Sequence, residues 1–316
     1  FVSYYIPNRA TDGYGMNFKA IDKIKADGTD LIITVDNGIS SIEEAEYIYS
    51  LGMQLIVTDH HQIGENLPRA EAVINPHRED NEIEFRDFAG VGVAFKLACA
   101  LYDGDVEDLL EDYADYVTIG TIGDMVPLLN ENRAIVKAGL KLINADAKIG
   151  ICALKKSTNS KAEHFSATDV AFQICPRINA AGRMDTANLA VDLLTCEDNE
   201  IAEYKAEQLN LENTHRHEVE EKIDKDIAEI MANDRAYQTD RVIVVAGHNY
   251  HKGVIGICAA HLVELYSKPA IVIGIDDEEN ATGSARSIDG FNIFEAISSC
   301  SDILTHFGGH PLAAGM

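Results

Sequence analysis

The chain has 316 residues, 46% hydrophobic and 25% charged, with 52 acidic against 26 basic side chains and a formal net charge of −26. That length suits two domains better than one, and no apolar run approaches the ~20 residues a membrane-spanning helix needs. So acidic a composition argues against a nonspecific polyanion binder, although a narrow cationic channel on an acidic body stays open and surplus carboxylates also suit hard cations.

The six cysteines (Cys99, Cys152, Cys175, Cys196, Cys258 and Cys300) are scattered and form no C-x-x-C pair. They read as neither a disulfide framework nor a zinc knuckle, and they fit a reduced, cytoplasmic setting. The opening "FVSYYIP" lacks the layout of a signal peptide and is expected to lie inside a strand.

In chain order, "LIITV" is a short, continuous, β-branched run, expected to be a strand buried on both faces. "SSIEEAEYIYSLG" follows as a helix, with Ser40 and Glu43 at capping-box spacing and Gly52 where a helix ends. "QLIVT" and "AEAVINP" are the next strands, so the first half is α/β with a right-handed parallel crossover. Residues 90–150 are helical in character.

From 197 to 236 runs a Glu-, Lys- and Ala-rich stretch without Pro or Gly, predicted as one or two long helices forming a solvated connector, with His215 and His217 in water. A second α/β unit then opens with "RVIVVAG", continues as the helix "GVIGICAAHLVELY" and the strand "KPAIVIG", and ends in the Gly-rich "HFGGHPLAAGM".

The chemistry concentrates at strand ends. Asp36 follows "IITV" directly and Asp59-His60-His61 follow "LIVT" directly, at the carboxyl edge where α/β sheets place ligands. Adjacent strand tips lie ~5 Å apart, or ~10 Å with one strand between, so both groups reach a common ion. A third acid, Asp124, sits among small and apolar residues in "GTIGDMVPL", where a carboxylate is costly unless paired or metal-bound. A turn or cap accounts for Asp36 taken alone, but not for all of these residues together. Carboxylates with imidazole and no thiolate favour Mn²⁺ or Mg²⁺ over Zn²⁺.

"VDNGIS", "VTDHH" and "GTIGDMVPL" resemble the second, third and fourth motifs of the DHH phosphoesterases. "VSYYIPNR", "PRINAAGRM", "GSARS" and "FGGHPLAAGM" are similar to the RecJ branch of that superfamily, exonucleases specific for single-stranded DNA. The resemblance covers the whole chain in order. It implies an α/β DHH domain over 1–192, a helical linker over 193–238 and a smaller α/β domain of DHHA1 type over 239–316. By the same resemblance Asp36 bridges two Mn²⁺ or Mg²⁺ ions, His60 and Asp124 ligate one of them, Asp59 holds the turn, and His61 faces the scissile phosphate.

Arg9, Arg183, Ser284 and Arg286 match positions for the strand and its 5′ phosphate, which a guanidinium fork grips well. His251, at a helix start, and His310, in a Gly-rich loop, are expected as further substrate contacts by the same resemblance. The family's first motif, an Asp-x-Asp loop, is expected upstream of Phe1, and an oligonucleotide-binding domain beyond Met316. The 316 residues alone are therefore expected to bind one ion weakly and to hydrolyse little.

The implied partners are single-stranded DNA with a 5′ end, a single-strand-binding protein and a helicase, with no membrane and a monomeric state. Two other readings stand beside this one: a DHH phosphodiesterase of short oligoribonucleotides or cyclic dinucleotides, and a non-catalytic, replication-associated scaffold.

Overall fold

The structure is a computed structural model and describes residues 1–7, 15–145, 147–184 and 187–316. The chain divides into two compact units, Phe1–Leu211 and Glu212–Met316.

The first unit begins with α1 (Phe18–Ala26), β1 (Leu31–Val35), α2 (Ile42–Ser50), β2 (Gln54–Thr58) and β3 (Ala72–Ile74). The three strands are all parallel, in the order β1-β2-β3. Ile21, Ala45, Ile48, Met53, Leu55 and Val57 form the core between the sheet and the first two helices.

Three expectations change here. Residues 1–7 form no strand; Tyr4 instead donates a hydrogen bond to Asp192, so a side chain rather than a backbone ladder ties the segment down. β1 is not buried on both faces. Leu31, Ile33 and Val35 are exposed on one side, because an unbroken apolar run does not say which face a helix will cover. The expected capping box is absent as well. The N-cap of α2 is Ser41, without a side-chain bond, and turn bonds from Ser41 N–H to Gly38 and from Ile42 N–H to Ser40 take its place. Glu43 and Glu44 still place negative charge at the positive end of α2, and the helix stops just before Gly52, as read.

The rest of this unit is helical: α3 (Gly90–Leu101), α4 (Val106–Gly123), α5 (Asn130–Ala145), α6 (Ile149–Ser157), α7 (Ala167–Asp169), a π-helical turn (Val170–Ile174), α8 (Cys175–Arg183) and α9 (Ala187–Leu194). Ile119, Ile122, Val136, Ile143, Ile151, Leu154, Ile174 and Leu193 fill their common core. Within it Asp115, 1% exposed, takes Lys148 Nζ at 2.9 Å on both carboxylate oxygens.

The charged stretch is one 35-residue helix, α10 (Asn199–Asn233). It is more than a solvated connector. Ala202, Ala206 and Leu209 join the core of the first unit, and Ile223, Ile227 and Met231 are buried further along. His215 and His217 are exposed, as read.

The second unit continues with α11 (Ala236–Thr239), β4 (Ile243–His248), α12 (Ile255–Tyr266), β5 (Ala270–Ile275), β6 (Ala281–Arg286), α13 (Ile293–Ser298), a 3₁₀ turn (Ser301–Ile303), β7 (Gly308–His310) and β8 (Ala313–Gly315). The sheet order is β4-β5-β6-β8-β7, with only β4 and β5 parallel. Ala285, Ile293, Ile297 and Ala314 pack one face against α13. Among the described residues, no helix is long and apolar enough to cross a membrane.

Candidate metal centre and substrate surface

β1 and β2 are neighbours in register, Val35 opposite Thr58, so the residues that leave both strands meet at one edge. Asp36 turns out of β1 with φ 64°, a left-handed conformation that Asp tolerates better than most residues, and its N–H still donates to Thr58 at 3.1 Å. Its carboxylate lies against the first residue of α3. A Cβ at Gly90 would sit 2.3 Å from Asp36 Oδ1, so only glycine fits there.

Asp124 comes from a different layer. It caps the carboxyl end of α4, where the helix dipole disfavours an anion, and a nearby cation would offset that cost.

His60 brings the three together. Its Nε2 lies 3.0 Å from Asp36 Oδ1 and 3.4 Å from Asp124 Oδ2. The ligand atoms of Asp36, His60 and His61 also lie within 4.8 Å of one another.

Asp59 is the brace beneath them. It is 1% exposed, and its Oδ2 accepts Ile39 N–H at 2.9 Å. Its Oδ1 accepts the N–H groups of His60 (2.7 Å) and His61 (3.2 Å) and the His61 ring nitrogen Nδ1 (2.7 Å). With the Nδ1 proton given to Asp59, His61 turns its opposite ring edge, with Nε2, away from the brace.

The electrostatics follow from this packing. Burial opposes charge on His60, but the carboxylates of Asp36, Asp124 and Asp59 outweigh it and raise the imidazole pKa. The bond from Asp59 raises that of His61, against burial. Burial, aided by the charge of Asp36, lifts Asp124 above the usual carboxylate range despite His60. Asp59 is itself buried, yet its hydrogen bonds from His61 and Ile39 hold its pKa low.

These residues fit a divalent ion. His60 Nε2 is buried, and among the described residues it has no hydrogen-bond partner, although two carboxylate oxygens lie 3.0 and 3.4 Å away. An imidazole nitrogen and two carboxylate oxygens thus converge, and no thiolate joins the set, which suits Mn²⁺ or Mg²⁺.

Two supporting residues carried no weight in the sequence reading. Asn75, 2% exposed, donates its amide to His61 C=O at 2.9 Å and accepts His77 N–H at 2.8 Å, pinning the turn from β3. The signal was a polar amide ending an apolar strand in "VINPH". Gly90, in "AGVGVAF", is legible only once Asp36 is seen against it.

In the second unit Ser284 and Arg286 share one face of β6, two residues apart. Arg286 Nη1 donates to Ser284 Oγ at 3.2 Å. Both reach the first turn of α12, where a Cβ on Gly256 would lie 2.9 Å from Ser284 Oγ and 3.0 Å from Arg286 Nη2. Arg286 pairs with Ala313 and Ala313 with His310, so His310 lies in the same row, two strands away. It belongs to a short strand rather than the expected loop.

His251 precedes α12, accepts Gly253 N–H through Nδ1, and lines a cavity of about 510 Å³ with Lys222, His248 and Tyr250. Arg183 is the last residue of α8, in the first unit. Arg9 lies outside the described residues.

Residues 1–121 match the DHH family N-terminal domain, and residues 239–316 match the DHHA1 domain. The chain is 45% identical, over all of its length, to the single-stranded-DNA-specific exonuclease RecJ of Bacillus subtilis, and spans 39% of that protein. It is 36% identical to RecJ of Escherichia coli, spanning 58% of it. Among solved structures, an exonuclease RecJ bound to manganese superimposes with a TM-score of 0.82 at 33% identity, over 99% of this chain and 77% of the other. RecJ of Thermus thermophilus in complex with Mn²⁺ gives a TM-score of 0.80 at 33% identity, over 94% of this chain and 44% of that one. With both domain types in order and a solved relative matched over most of its length, the chain belongs to the RecJ family of DHH proteins.

Proposed function

We propose that this chain forms the catalytic region of a metal-dependent 5′→3′ exonuclease that hydrolyses single-stranded DNA in repair and recombination, in the cytoplasm. The observation that carries the proposal is the convergence of His60 Nε2 with Asp36 and Asp124. The names of its relatives support the substrate, and relatives solved with Mn²⁺ and Mg²⁺ support the ions. The chain spans less than two thirds of the Bacillus relative, so the activity of the whole protein is inferred.

In this reading Asp36, His60 and Asp124 hold the ion or ions. Divalent ions, when bound, neutralise charge on the phosphate and lower the pKa of a bound water. The chain's own side chains do the rest. Asp59 fixes the tautomer and orientation of His61, which then presents Nε2 to the scissile phosphate and holds or releases a proton there. Ser284 and Arg286, beside the amino end of α12, grip a strand phosphate, the guanidinium through its fork. Arg9, Arg183, His251 and His310 contact the strand and its 5′ phosphate.

The functional domains are 1–192 and 239–316, joined by 193–238. The protein is a monomer that works beside a single-strand-binding protein and a helicase.

The test is nucleotide release by the full-length protein, with Mn²⁺, from long 5′-phosphorylated single-stranded DNA and, in parallel, from short oligoribonucleotides and cyclic dinucleotides. Processive release from the DNA, abolished by His60→Ala, is the expected result. Turnover of the dinucleotides without turnover of the DNA would refute the substrate assignment.

A further inference from the structure

A row of cations on α5 has no part in the reaction described above. Arg133, Lys137 and Lys141 follow one another at four-residue spacing, so they stand in one line along the helix, about 12 Å from first to last. All three are exposed. The chain carries 52 acidic against 26 basic side chains, so carboxylates are in ample supply for its surface cations. Arg69, Lys96, Lys156 and Lys205 each take one, from Glu46, Glu131, Glu203 and Asp192. Among the described residues, Arg133, Lys137 and Lys141 take none.

The row borders an apolar cleft. Val136 and Leu140 form the next line of side chains on the same helix, and with Leu128 and Ala167 they line a cavity of about 550 Å³ beside the three cations. Asn144 sets its shape. The Asn144 amide donates to the C=O groups of Leu140 and Phe165, both at 2.9 Å, and its Oδ1 accepts Phe165 N–H at 2.7 Å. These bonds hold the segment that leads into α7 alongside α5 and occupy the amide of the cleft. Asp169, two residues beyond Ala167, is taken up by the cap of its own helix through Ser166. Among the described residues no carboxylate lines the cleft, which offers aliphatic walls and positive charge along one edge.

Two kinds of polyanion match a row of cations. A single strand of nucleic acid is held by stacking its bases on aromatic side chains, and among the described residues no aromatic side chain lines this cleft. Aliphatic side chains beside carboxylates, by contrast, match both halves of the surface. We propose that the α5 cleft docks an acidic amphipathic helix of a partner protein. Its Glu or Asp side chains, at four-residue spacing, lie on the cation row, and an adjacent line of Leu-like side chains covers Val136 and Leu140. Two helices share the same rise of ~6 Å per four residues, which keeps successive charge pairs in step. The charges fix register and speed encounter, while the apolar row supplies affinity. The surface lies wholly in the first unit and includes none of the residues assigned to the metal ions or to the DNA strand.

The test is fluorescence anisotropy with the full-length protein, divalent metal chelated, and a labelled peptide of Glu, Leu and Ala. Its Glu and Leu rows repeat at four-residue spacing, and it is about 20 residues long so that it holds a helix. Saturable binding is expected, weakened by added salt. Lys137→Glu combined with Lys141→Glu should weaken it about tenfold or more, and a peptide with Lys in place of Glu should bind that variant and not the parent. Replacing Leu by Ser in the original peptide should weaken binding to the parent by a similar factor. Both lysines are exposed, so the melting temperature and the nuclease activity of the double variant should match the parent's, which keeps this result separate from the proposed function. No saturable binding, or binding that the double reversal leaves unchanged, overturns the docking site. If the Ser peptide binds as well as the Leu peptide and oligo(dT) displaces both, the surface is a plain polyanion contact and the proposal fails.

Discussion

Gly90→Ala separates stability from function. Alanine is the better helix former by about 0.5–1 kcal/mol, so the substitution by itself favours α3. The added Cβ, however, would lie 2.3 Å from Asp36 Oδ1 and 2.5 Å from both Asp36 Cβ and Cγ. Contacts below 3.0 Å are essentially never found, and here the obstacle is a short side chain anchored by its own backbone bond to Thr58. The Asp36 carboxylate must therefore shift by about 1 Å from its place beside Gly90 and His60. A displacement of that size in a reacting constellation costs on the order of 100-fold in rate, or about 2.7 kcal/mol of transition-state stabilisation. The assay is threefold: melting temperature, Mn²⁺ titration of the chain, and kcat/KM of the full-length protein on 5′-labelled single-stranded DNA. The expected outcome is a nearly unchanged melting temperature, weaker Mn²⁺ binding and a kcat/KM about two orders of magnitude lower. If Gly90→Ala binds Mn²⁺ and turns over as the parent does, Asp36 is not a ligand in the position described.

Asn75→Ala leaves His61 C=O and His77 N–H without their shared partner, and should cost about 1–3 kcal/mol in denaturant unfolding. It should also lower kcat while leaving the Mn²⁺ stoichiometry unchanged, since its side-chain bonds go to the backbone of His61 and His77. Asp115→Ala removes the buried half of an ion pair whose lysine is a third exposed. The expected loss is about 2 kcal/mol, below the ~3–5 kcal/mol of a fully buried pair because Lys148 can reach water, and Mn²⁺ affinity should not change. Arg286→Ala should raise KM about tenfold with little change in kcat and erase any preference for a 5′ phosphate, as expected when uniform binding is removed. Equal rates of the parent on phosphate and hydroxyl ends would refute that role.

What local sequence determines here is what depends on near neighbours. The β-branched runs before Asp36 and before Asp59 define two strands, and the residues that follow an apolar strand leave at its end, so these candidate ligands were legible as such. The absence of Pro and Gly from 197 to 236 likewise made a long helix readable, because nothing there breaks the hydrogen-bond ladder. The strand "ATGSAR" was not legible as one, since its small residues have little strand preference and pairing with β5 and β8 imposes its conformation.

Tertiary structure decided the rest, for the reason that the deciding contacts join distant positions. Which face of β1 is covered depends on where the helices pack, and an apolar run looks the same either way. The fit of Gly90 against Asp36 and the hold of Asn75 on His61 link segments separated by loops, and no local periodicity encodes such a contact. Arg216 and Glu220 looked like solvated charges on a connector; they are buried because that face of α10 packs in the second unit, with α12 bringing His261 beside them. The ligand types at each strand tip were written locally, but the geometry that makes them a site was set by long-range packing.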